Sequence, residues 1–366
     1  MTYPVKIQTT KSARELEIAW DLTNYCNFSC RYCFPEANAG DFKVTTDLNL
    51  LVKNFQHLAN HYESNFGRDQ IYLKFGGGEP TLWADFGNLL VKLKEHQTNL
   101  YIGVVSNGSR TLRWWKEYGH LIDNATLSFH IGDSNIDHHI AVADALFSLG
   151  KKVTVLVLMD PDRWDECVNA VEYMKSNSVH RWFIEAKTII PTPNSAIVYS
   201  EEQQLYLVNE LKRIPSVLWF LKNIKLIYKG LIKKYASIAT LDNGKTLKAT
   251  AAGYVSRGWN VFTGWSCDVG VDTLYIKWTG ELQGACGQPL FNLNTKFNIL
   301  DNDFINKFDP EITSSICKVN LCSCPPETHI SKFSLSKGNI SSTRTIIPIT
   351  DDRLFRNIKS TSVNIT

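Results

Sequence analysis

Six runs rich in β-branched and aromatic residues alternate with helix-patterned segments between residues 15 and 187, and this alternation constrains the fold most strongly. In such a pattern the strands lie parallel and the helices cross from one strand to the next. The predicted strands are ELEIAWDL (15–22), QIYLKF (70–75), NLYIGVVS (99–106), ATLSFH (125–130), KKVTVLVLM (151–159) and RWFIEAK (181–187). We therefore predict an α/β protein with a partial (β/α)6 TIM-like barrel, whose chemistry lies at the carboxyl ends of the strands.

Several segments carry apolar residues at the three- and four-residue spacing of a helix. Two of them, 45–63 and 136–150, lie between predicted strands, and the second ends on a glycine as helices often do. Two more, 199–214 and 217–241, follow the chain break at Pro191 and Pro193. The last has a lysine face opposite its apolar face, and we interpret it as a helix packed on the barrel without a function of its own. Its lysines are Lys222, Lys225, Lys229, Lys233 and Lys234.

The distribution of motifs and cysteines predicts four regions. Residues 1–190 form the barrel, 191–263 a helical connector, 264–330 a small cysteine-rich domain, and 331–366 a peripheral tail without clear periodicity.

Charge and hydropathy exclude several classes of partner. A net charge of +3 over 366 residues gives no basic field that would gather nucleic acid. The amino terminus lacks the apolar core of a secretory signal, and no run of about 18 apolar residues could span a bilayer. We expect a cytoplasmic protein that binds neither nucleic acid nor membrane.

Eight of the nine cysteines fall into two groups, which in a reducing compartment favours metal over disulfides. The first group is Cys26, Cys30 and Cys33 in a CxxxCxxC spacing after the first predicted strand. A closed zinc site or a fully ligated iron–sulfur cube needs four protein ligands, whereas three thiolates leave one metal corner open to a substrate or cofactor. The alternative is a zinc site completed by a distant His or Cys.

A glycine-rich turn, Gly76 to Pro80, follows the second predicted strand and gives the cysteine loop a family context. The CxxxCxxC spacing with Tyr32 before its last cysteine, followed by this GGGEP turn, resembles the radical S-adenosylmethionine (SAM) superfamily over about residues 15–190. The resemblance implies a [4Fe-4S] cluster whose open iron is chelated by the amino and carboxylate groups of SAM. It also implies a flavodoxin- or ferredoxin-type electron donor.

The resemblance assigns further contacts to the cofactor at the strand ends. Gly77, Gly78 and Glu79 would receive the methionine ammonium of SAM. Ser106 and Asn107 correspond to the third-strand motif of the family.

The end of the fourth strand resembles the family in part and departs from it in part. Ser128 would offer its hydroxyl to the ribose or carboxylate, and His130 stands where many relatives carry an acidic residue. Relatives often carry an Arg shortly afterwards, which is absent here. His138 and His139 lie in that region, but adjacent residues on a helix face different directions, so at most one points inward.

The second cysteine group begins with CDVGVDTLYIKWTGELQGAC, residues 267–286, which resembles the opening of SPASM and shorter Twitch domains. Its hairpin turn is predicted at Thr279 and Gly280. Five cysteines suit one auxiliary [4Fe-4S] cluster with one thiol left over, so Twitch is the better match, and a zinc site is the alternative. These cysteines are Cys267, Cys286, Cys317, Cys322 and Cys324.

A spare thiol could donate a hydrogen atom to a substrate radical. The candidates are Cys167, Cys317, Cys322 and Cys324, with a buried, inert thiol as the alternative for Cys167.

The resemblance implies reductive cleavage of SAM to methionine and a 5′-deoxyadenosyl radical, which abstracts hydrogen from a substrate. The first expectation for the substrate is a ribosomal peptide or protein that is crosslinked, epimerised or oxidised. The absence of a leader-recognition segment before Glu15 weighs against it. The alternatives are dehydrogenation or rearrangement of a sugar, nucleoside or antibiotic precursor, and a non-catalytic zinc or iron–sulfur scaffold.

Overall fold

The computed structural model describes residues 2–34, 40, 47–178, 182–189, 197–212, 237–249, 254, 257–284, 296–310, 314–319, 322 and 330–335. Elements are numbered in chain order over these residues. The strands belong to two sheets. None of the helices in this part of the chain has the length and apolarity needed to span a bilayer.

The larger sheet contains all six strands predicted from the alternating pattern. They run parallel in chain order, which confirms the predicted α/β fold with its partial (β/α)6 arrangement. The strands are β2 (Glu15–Thr23), β3 (Gln70–Gly77), β4 (Leu100–Ser106), β5 (Asn124–Phe129), β6 (Lys152–Leu158) and β7 (Phe183–Lys187).

Alternation along the strands separates a helix-covered face from an inner face. In β2, Ile18 and Trp20 belong to the main hydrophobic core, and the Trp20 ring stacks on Phe55 of the first helix at 6.5 Å. The residues that alternate with these two along β2 point to the other face, because side chains alternate along a strand. That inner face therefore holds Glu17 and Asp21.

The helices cover the outer face. They are α1 (Leu48–Phe66), α2 (Phe86–His96), α3 (Leu112–Tyr118), α4 (Ile136–Ser148), α5 (Trp164–Ser178), α6 (Glu201–Lys212) and the short α7 (Phe304–Lys307). The first begins three residues later than predicted, because the Asp47 carboxylate accepts hydrogen bonds from the N–H groups of Asn49 and Leu50. It ends at Gly67, which has a left-handed conformation. Gly150 takes the same conformation after α4, as predicted.

The predicted helix 217–241 is wrong at its carboxyl end, where Ser237–Leu241 form strand β8. Burial there alternates every second residue, with Ser237 and Ala239 buried and Ile238 exposed, which is the period of a strand. Residues 213–236, with the five lysines, lie outside the described residues.

The smaller sheet gathers strands from distant parts of the chain. Its order is β13 (Ser315–Ile316), β10 (Trp265–Cys267), β14 (Lys332–Ser334), β1 (Pro4–Thr9), β8 and β9 (Thr246–Ala249). Strand pairing therefore crosses the predicted domain boundaries. Residues 332–334, in the region predicted as a tail, form β14, which lies between β10 and β1 inside the sheet.

The predicted hairpin is present as β11 (Thr273–Ile276) and β12 (Leu282–Gln283). Its turn contains Gly280 at φ 82°, and the Gly280 N–H donates to the Lys277 carbonyl at 2.8 Å. Strand β11 also pairs in parallel with β2. The hairpin therefore extends the barrel sheet at its first edge.

Candidate functional site

The three-cysteine loop leaves β2 at Thr23 and lies at the carboxyl edge of the parallel sheet. Cys26, Cys30 and Cys33 are all half-buried. The Cys33 N–H donates to the Cys30 carbonyl at 3.0 Å, which closes a turn between the last two cysteines. The loop thus presents its thiols at the edge where barrels of this type place their chemistry.

The glycine-rich turn after β3 packs directly against the cysteine loop. The Gly78 N–H donates to the Thr23 carbonyl at 2.6 Å, and the Glu79 N–H donates to the Tyr25 carbonyl at 2.7 Å. A Cβ atom on Gly77 would lie 2.2 Å from the Thr23 oxygen, and one on Gly78 would lie 2.1 Å from the Tyr25 oxygen. The glycines are required by this close contact between two backbones. Their assignment to the SAM ammonium stays a prediction.

Glu79 is fully buried and joins the ends of β3 and β4. Its Oε1 accepts hydrogen bonds from the Thr81 N–H (3.1 Å), the Thr81 hydroxyl (2.6 Å) and the Ser106 hydroxyl (2.8 Å). Its Oε2 accepts from the Asn107 N–H at 2.6 Å. Burial raises the pKa of Glu79, whereas these hydrogen bonds lower it. Three residues predicted as separate cofactor contacts therefore form one network.

The same network reaches the first cysteine through the side chain of Asn107. Its Nδ2 donates to Asn27 Oδ1 at 3.0 Å and lies 3.7 Å from Cys26 Sγ. The Phe28 N–H also points to Cys26 Sγ, at 3.4 Å. N–H groups directed at a sulfur stabilise its anionic, metal-binding form.

The electrostatics of the loop keep its thiols protonated in the metal-free chain. Burial raises the pKa of all three, and for Cys30 the neighbouring Asp133 carboxylate adds to burial and brings the pKa to about 12. Metal loading must therefore displace protons from this loop. Within the described residues, no group of three or more His, Cys, Asp or Glu side chains meets the geometry of a single metal ion.

His130, at the end of β5, contacts the cysteine loop. Its Nδ1 lies 2.9 Å from the Tyr32 hydroxyl and 3.2 Å from Cys30 Sγ, and the two rings stack at 5.9 Å. Burial lowers the pKa of His130 to about 4, so the imidazole is neutral at pH 7. The structure thus places both predicted residues beside the predicted ligand Cys30.

The remaining residues predicted near the fourth strand separate into different places. Ser128 lies on the inner face of β5, opposite Leu156 in the strand register. His139 is buried against the Phe129 ring, whereas His138 contacts the carbonyls after β4. Of these two histidines, only His139 is buried.

Arg31 connects the cysteine loop to the end of β6, and the sequence analysis missed this connection. Its Nε donates to Asp160 Oδ2 at 3.2 Å, and its Nη2 contacts Asp162 Oδ2 at 2.7 Å. The available signal was the pair of aspartates directly after a predicted strand, at the edge where the loop lies.

Three cysteines of the second group converge at the smaller sheet. Cys267 ends β10, Cys317 follows β13 and donates its N–H to the Trp265 carbonyl at 2.8 Å, and Cys322 is buried nearby. The pKa of Cys267 rises to about 11, first through burial and also through the neighbouring Cys317 and Cys322. Cys286 and Cys324 lie outside the described residues.

Lys332 brings a positive charge to this group. Its Nζ lies 3.9 Å from Cys322 Sγ and 4.3 Å from the centre of the Phe262 ring, and its charge lowers the pKa of Cys267.

Cys167 has a different environment. It is fully buried on α5, its Sγ lies 3.5 Å from the Leu158 carbonyl, and burial raises its pKa to about 11. The seven described cysteines form no disulfide with one another.

A family profile and several curated proteins match part of the chain. The sequence profile described as "Radical SAM superfamily" matches residues 20–192. GTP 3′,8-cyclase of Pasteurella multocida (strain Pm70) is 30% identical over 131 residues, or 34% of this chain and 35% of that protein. The curated relatives are matched over about a third to a half of their own length.

Two solved structures are similar to the chain. "Native anSMEcpe with bound AdoMet" is 15% identical with a TM-score of 0.48, and covers 78% of each chain. "Crystal structure of Streptococcus suis SuiB bound to precursor peptide SuiA" is 16% identical with a TM-score of 0.47, and covers 80% of this chain and 64% of that one.

Proposed function

We propose that this chain, whose residues 20–192 form a radical SAM domain, reductively cleaves SAM and removes a hydrogen atom from a substrate held in the barrel. Domains of this superfamily use a [4Fe-4S] cluster and SAM. The observation that carries the proposal is the three-cysteine loop at the carboxyl edge of the sheet, attached to the Glu79 network.

The donor set of the loop fits such a cluster. Cys26, Cys30 and Cys33 would be its protein ligands, and three thiolates leave one iron for SAM. When bound, the cluster supplies the electron that breaks a carbon–sulfur bond of SAM. The N–H groups of Phe28 and Asn107 would stabilise the anionic Cys26 sulfur.

Other residues of the chain would position this loop. Arg31 attaches it to β6, and the glycine-rich turn fixes its first residues through two short backbone hydrogen bonds. Rigid attachment to several strand ends favours a site whose donor and acceptor must stay in contact. The contacts of SAM with Gly77, Gly78, Ser106 and Ser128 are part of the same proposal.

For the second cysteine group we propose an auxiliary [4Fe-4S] cluster held in part by Cys267, Cys317 and Cys322. Their convergence at the smaller sheet supports this proposal. An external flavodoxin- or ferredoxin-type donor would supply the electron for SAM cleavage.

The test is anaerobic reconstitution followed by iron and sulfide counting, then reduction with dithionite in the presence of SAM. We expect about eight irons per chain, about four if the auxiliary cluster is absent, and formation of 5′-deoxyadenosine. Alanine at Cys26, Cys30 or Cys33 should abolish this product, while Cys167→Ala serves as the matched control, because that thiol is fully buried on α5 and is not one of the three loop cysteines. Product formation by the loop variants would refute the cluster assignment. Zinc at the loop thiols without SAM binding would favour a non-catalytic scaffold.

For the substrate we propose a ribosomal peptide or protein, since the cysteine-rich region resembles domains appended to peptide-modifying enzymes. A nucleotide is the second candidate, because curated relatives are named GTP 3′,8-cyclase. Formation of 5′-deoxyadenosine should be compared with GTP and with a mixture of unstructured peptides. The class that accelerates SAM cleavage at least about tenfold identifies the substrate class.

A further inference from the structure

A row of buried side chains crosses the smaller sheet at the second cysteine group. In this row Lys332 of β14 lies opposite Cys267 of β10 on one side and opposite Ile7 of β1 on the other. All three side chains are buried, whereas Phe333, the next residue of β14, is exposed. Residues that lie opposite each other on neighbouring strands share one face of the sheet. Lys332 and Cys267 therefore point into the same interior.

The ammonium group of Lys332 also contacts a second thiol. Its Nζ lies 3.9 Å from Cys322 Sγ and 4.3 Å from the centre of the Phe262 ring. Cys322, Phe262 and Ile7 belong to one small hydrophobic core, so this contact is shielded from water. A lysine is almost never buried this deeply unless a negative group accompanies it. The strand register and the Nζ contact thus bring one positive charge to two of the three converging cysteines.

A carboxylate shares this neighbourhood. Asp268 follows Cys267 in the chain, and its Oδ1 accepts a hydrogen bond from the Ser314 hydroxyl at 2.6 Å. Burial raises the pKa of Asp268, and the charges of Arg68 and Lys332 lower it. The charge of Lys332 therefore acts on this carboxylate as well as on the thiols.

An iron–sulfur cluster gives this charge a role. Cysteine thiolates outweigh the positive charge of the iron–sulfur core that they bind, so the cluster is anionic, and reduction adds one more negative charge. A positive charge beside the ligand sulfurs stabilises the reduced cluster more than the oxidised one. We propose that Lys332 compensates the charge of the auxiliary cluster and raises its reduction potential. This role rests on the proposed function, which supplies a cluster at Cys267, Cys317 and Cys322.

The test uses the full-length chain with alanine at all three loop cysteines, so that the auxiliary cluster is the only one formed on anaerobic reconstitution. Its midpoint potential is measured by titration with dithionite and redox mediators, followed by electron paramagnetic resonance. We compare this parent with its Lys332→Met, Lys332→Gln and Lys332→Arg variants. Lys6→Met is the matched control, because Lys6 is exposed on the opposite face of the same sheet, where it pairs with Phe333.

The two neutral variants should keep about four irons per chain. They should lower the equilibrium constant for reduction at least about tenfold, or about 59 mV for a one-electron couple, because they remove a charge next to the sulfurs. Lys332→Arg should stay within about threefold of the parent, since it keeps the charge. Lys6→Met should leave the potential unchanged, because water and salt screen an exposed charge. Loss of iron in the neutral variants, with iron retained in Lys332→Arg, would also support charge compensation.

Three results would overturn the role of Lys332. The first is a neutral variant with a full cluster whose potential equals or exceeds that of the parent. The second is loss of iron in all three variants, arginine included, because the lysine would then be structural. The third is a parent without iron, which would refute the auxiliary cluster as well. A lowered potential in the neutral variants, with no 5′-deoxyadenosine formed by the wild-type chain, would instead refute SAM cleavage alone.

Discussion

Replacement of Glu79 by glutamine tests whether this buried carboxylate holds the cysteine loop in place. The side chain keeps its shape, but one of its two oxygens becomes an NH2 group that cannot accept a hydrogen bond. Three donors point at Oε1 and one, the Asn107 N–H at 2.6 Å, at Oε2. In the better of its two orientations, the glutamine amide places its oxygen at the Oε1 position and keeps those three hydrogen bonds. Its NH2 group then faces the Asn107 N–H, so that two donors oppose each other.

The expected cost follows from that single conflict. A hydrogen bond to a charged group contributes about 1.5–3 kcal/mol, and the remaining three weaken when the charge is removed. We therefore expect the free energy of unfolding to fall by about 2–4 kcal/mol. Because the Asn107 side chain contacts Cys26, the displaced backbone should also lower the iron bound after reconstitution.

The assay is urea unfolding of the metal-free protein, followed by iron counting on reconstituted samples. Glu166→Gln is the matched control, because Glu166 carries the same change at an exposed position on α5, where we expect little effect. A loss below about 0.5 kcal/mol for Glu79→Gln would refute the reasoning. It would mean that the buried carboxyl is neutral or that the four contacts are dispensable.

Three further changes probe other parts of the chain. Gly78→Ala should cost at least about 2 kcal/mol and reduce bound iron, because its Cβ would lie 2.1 Å from the Tyr25 oxygen. Gly67→Ala, whose Cβ would meet no atom within 4 Å but whose backbone is left-handed, is the control for bound iron alone, and equal iron loss in both variants would contradict this. Burial lowers the pKa of His139 to about 3, so the unfolded chain binds the extra proton first, and stability should fall as pH drops from about 6.5 to 3. Urea unfolding at pH 4 and 7 should show a smaller loss for His139→Phe; an unchanged loss would contradict it. Cys322→Ser should lower the iron count by about four, which an unchanged count would contradict.

The barrel and its cysteine loop were predictable because their signals are local. Each strand carries its own run of β-branched and aromatic residues, and three cysteines within eight positions must meet wherever the strand ends. The role of the glycine-rich turn was only half predictable. The resemblance assigned Gly77 and Gly78 to the SAM ammonium, but only the folded chain shows that the atoms closest to them are the carbonyls of Thr23 and Tyr25.

The strand at Ser237–Leu241 was missed because the preceding apolar and lysine pattern continued smoothly into it. One of its two pairing partners is Pro4–Thr9, more than two hundred residues away, and a local period carries no information about such a contact. The other partner, Thr246–Ala249, follows a short turn that contains Asn243 and Gly244, and the sequence analysis missed that local hairpin signal.

Like the pairing with Pro4–Thr9, the contact between Arg31 and Asp160 joins distant segments of the chain. Neither segment carries a sequence signal for contact with the other, although both follow strands that end at the same edge of the sheet.

The two cysteine groups differ in what holds them together. The first depends on one loop and on several strand ends of the barrel sheet. The second depends on a sheet in which β1, from the start of the chain, pairs with β14, which pairs in turn with the Cys267 strand. Its geometry therefore requires most of the chain to fold first. Assembly of a cluster at the second group would then depend on folding of the whole chain, whereas assembly at the first group depends mainly on folding of the barrel.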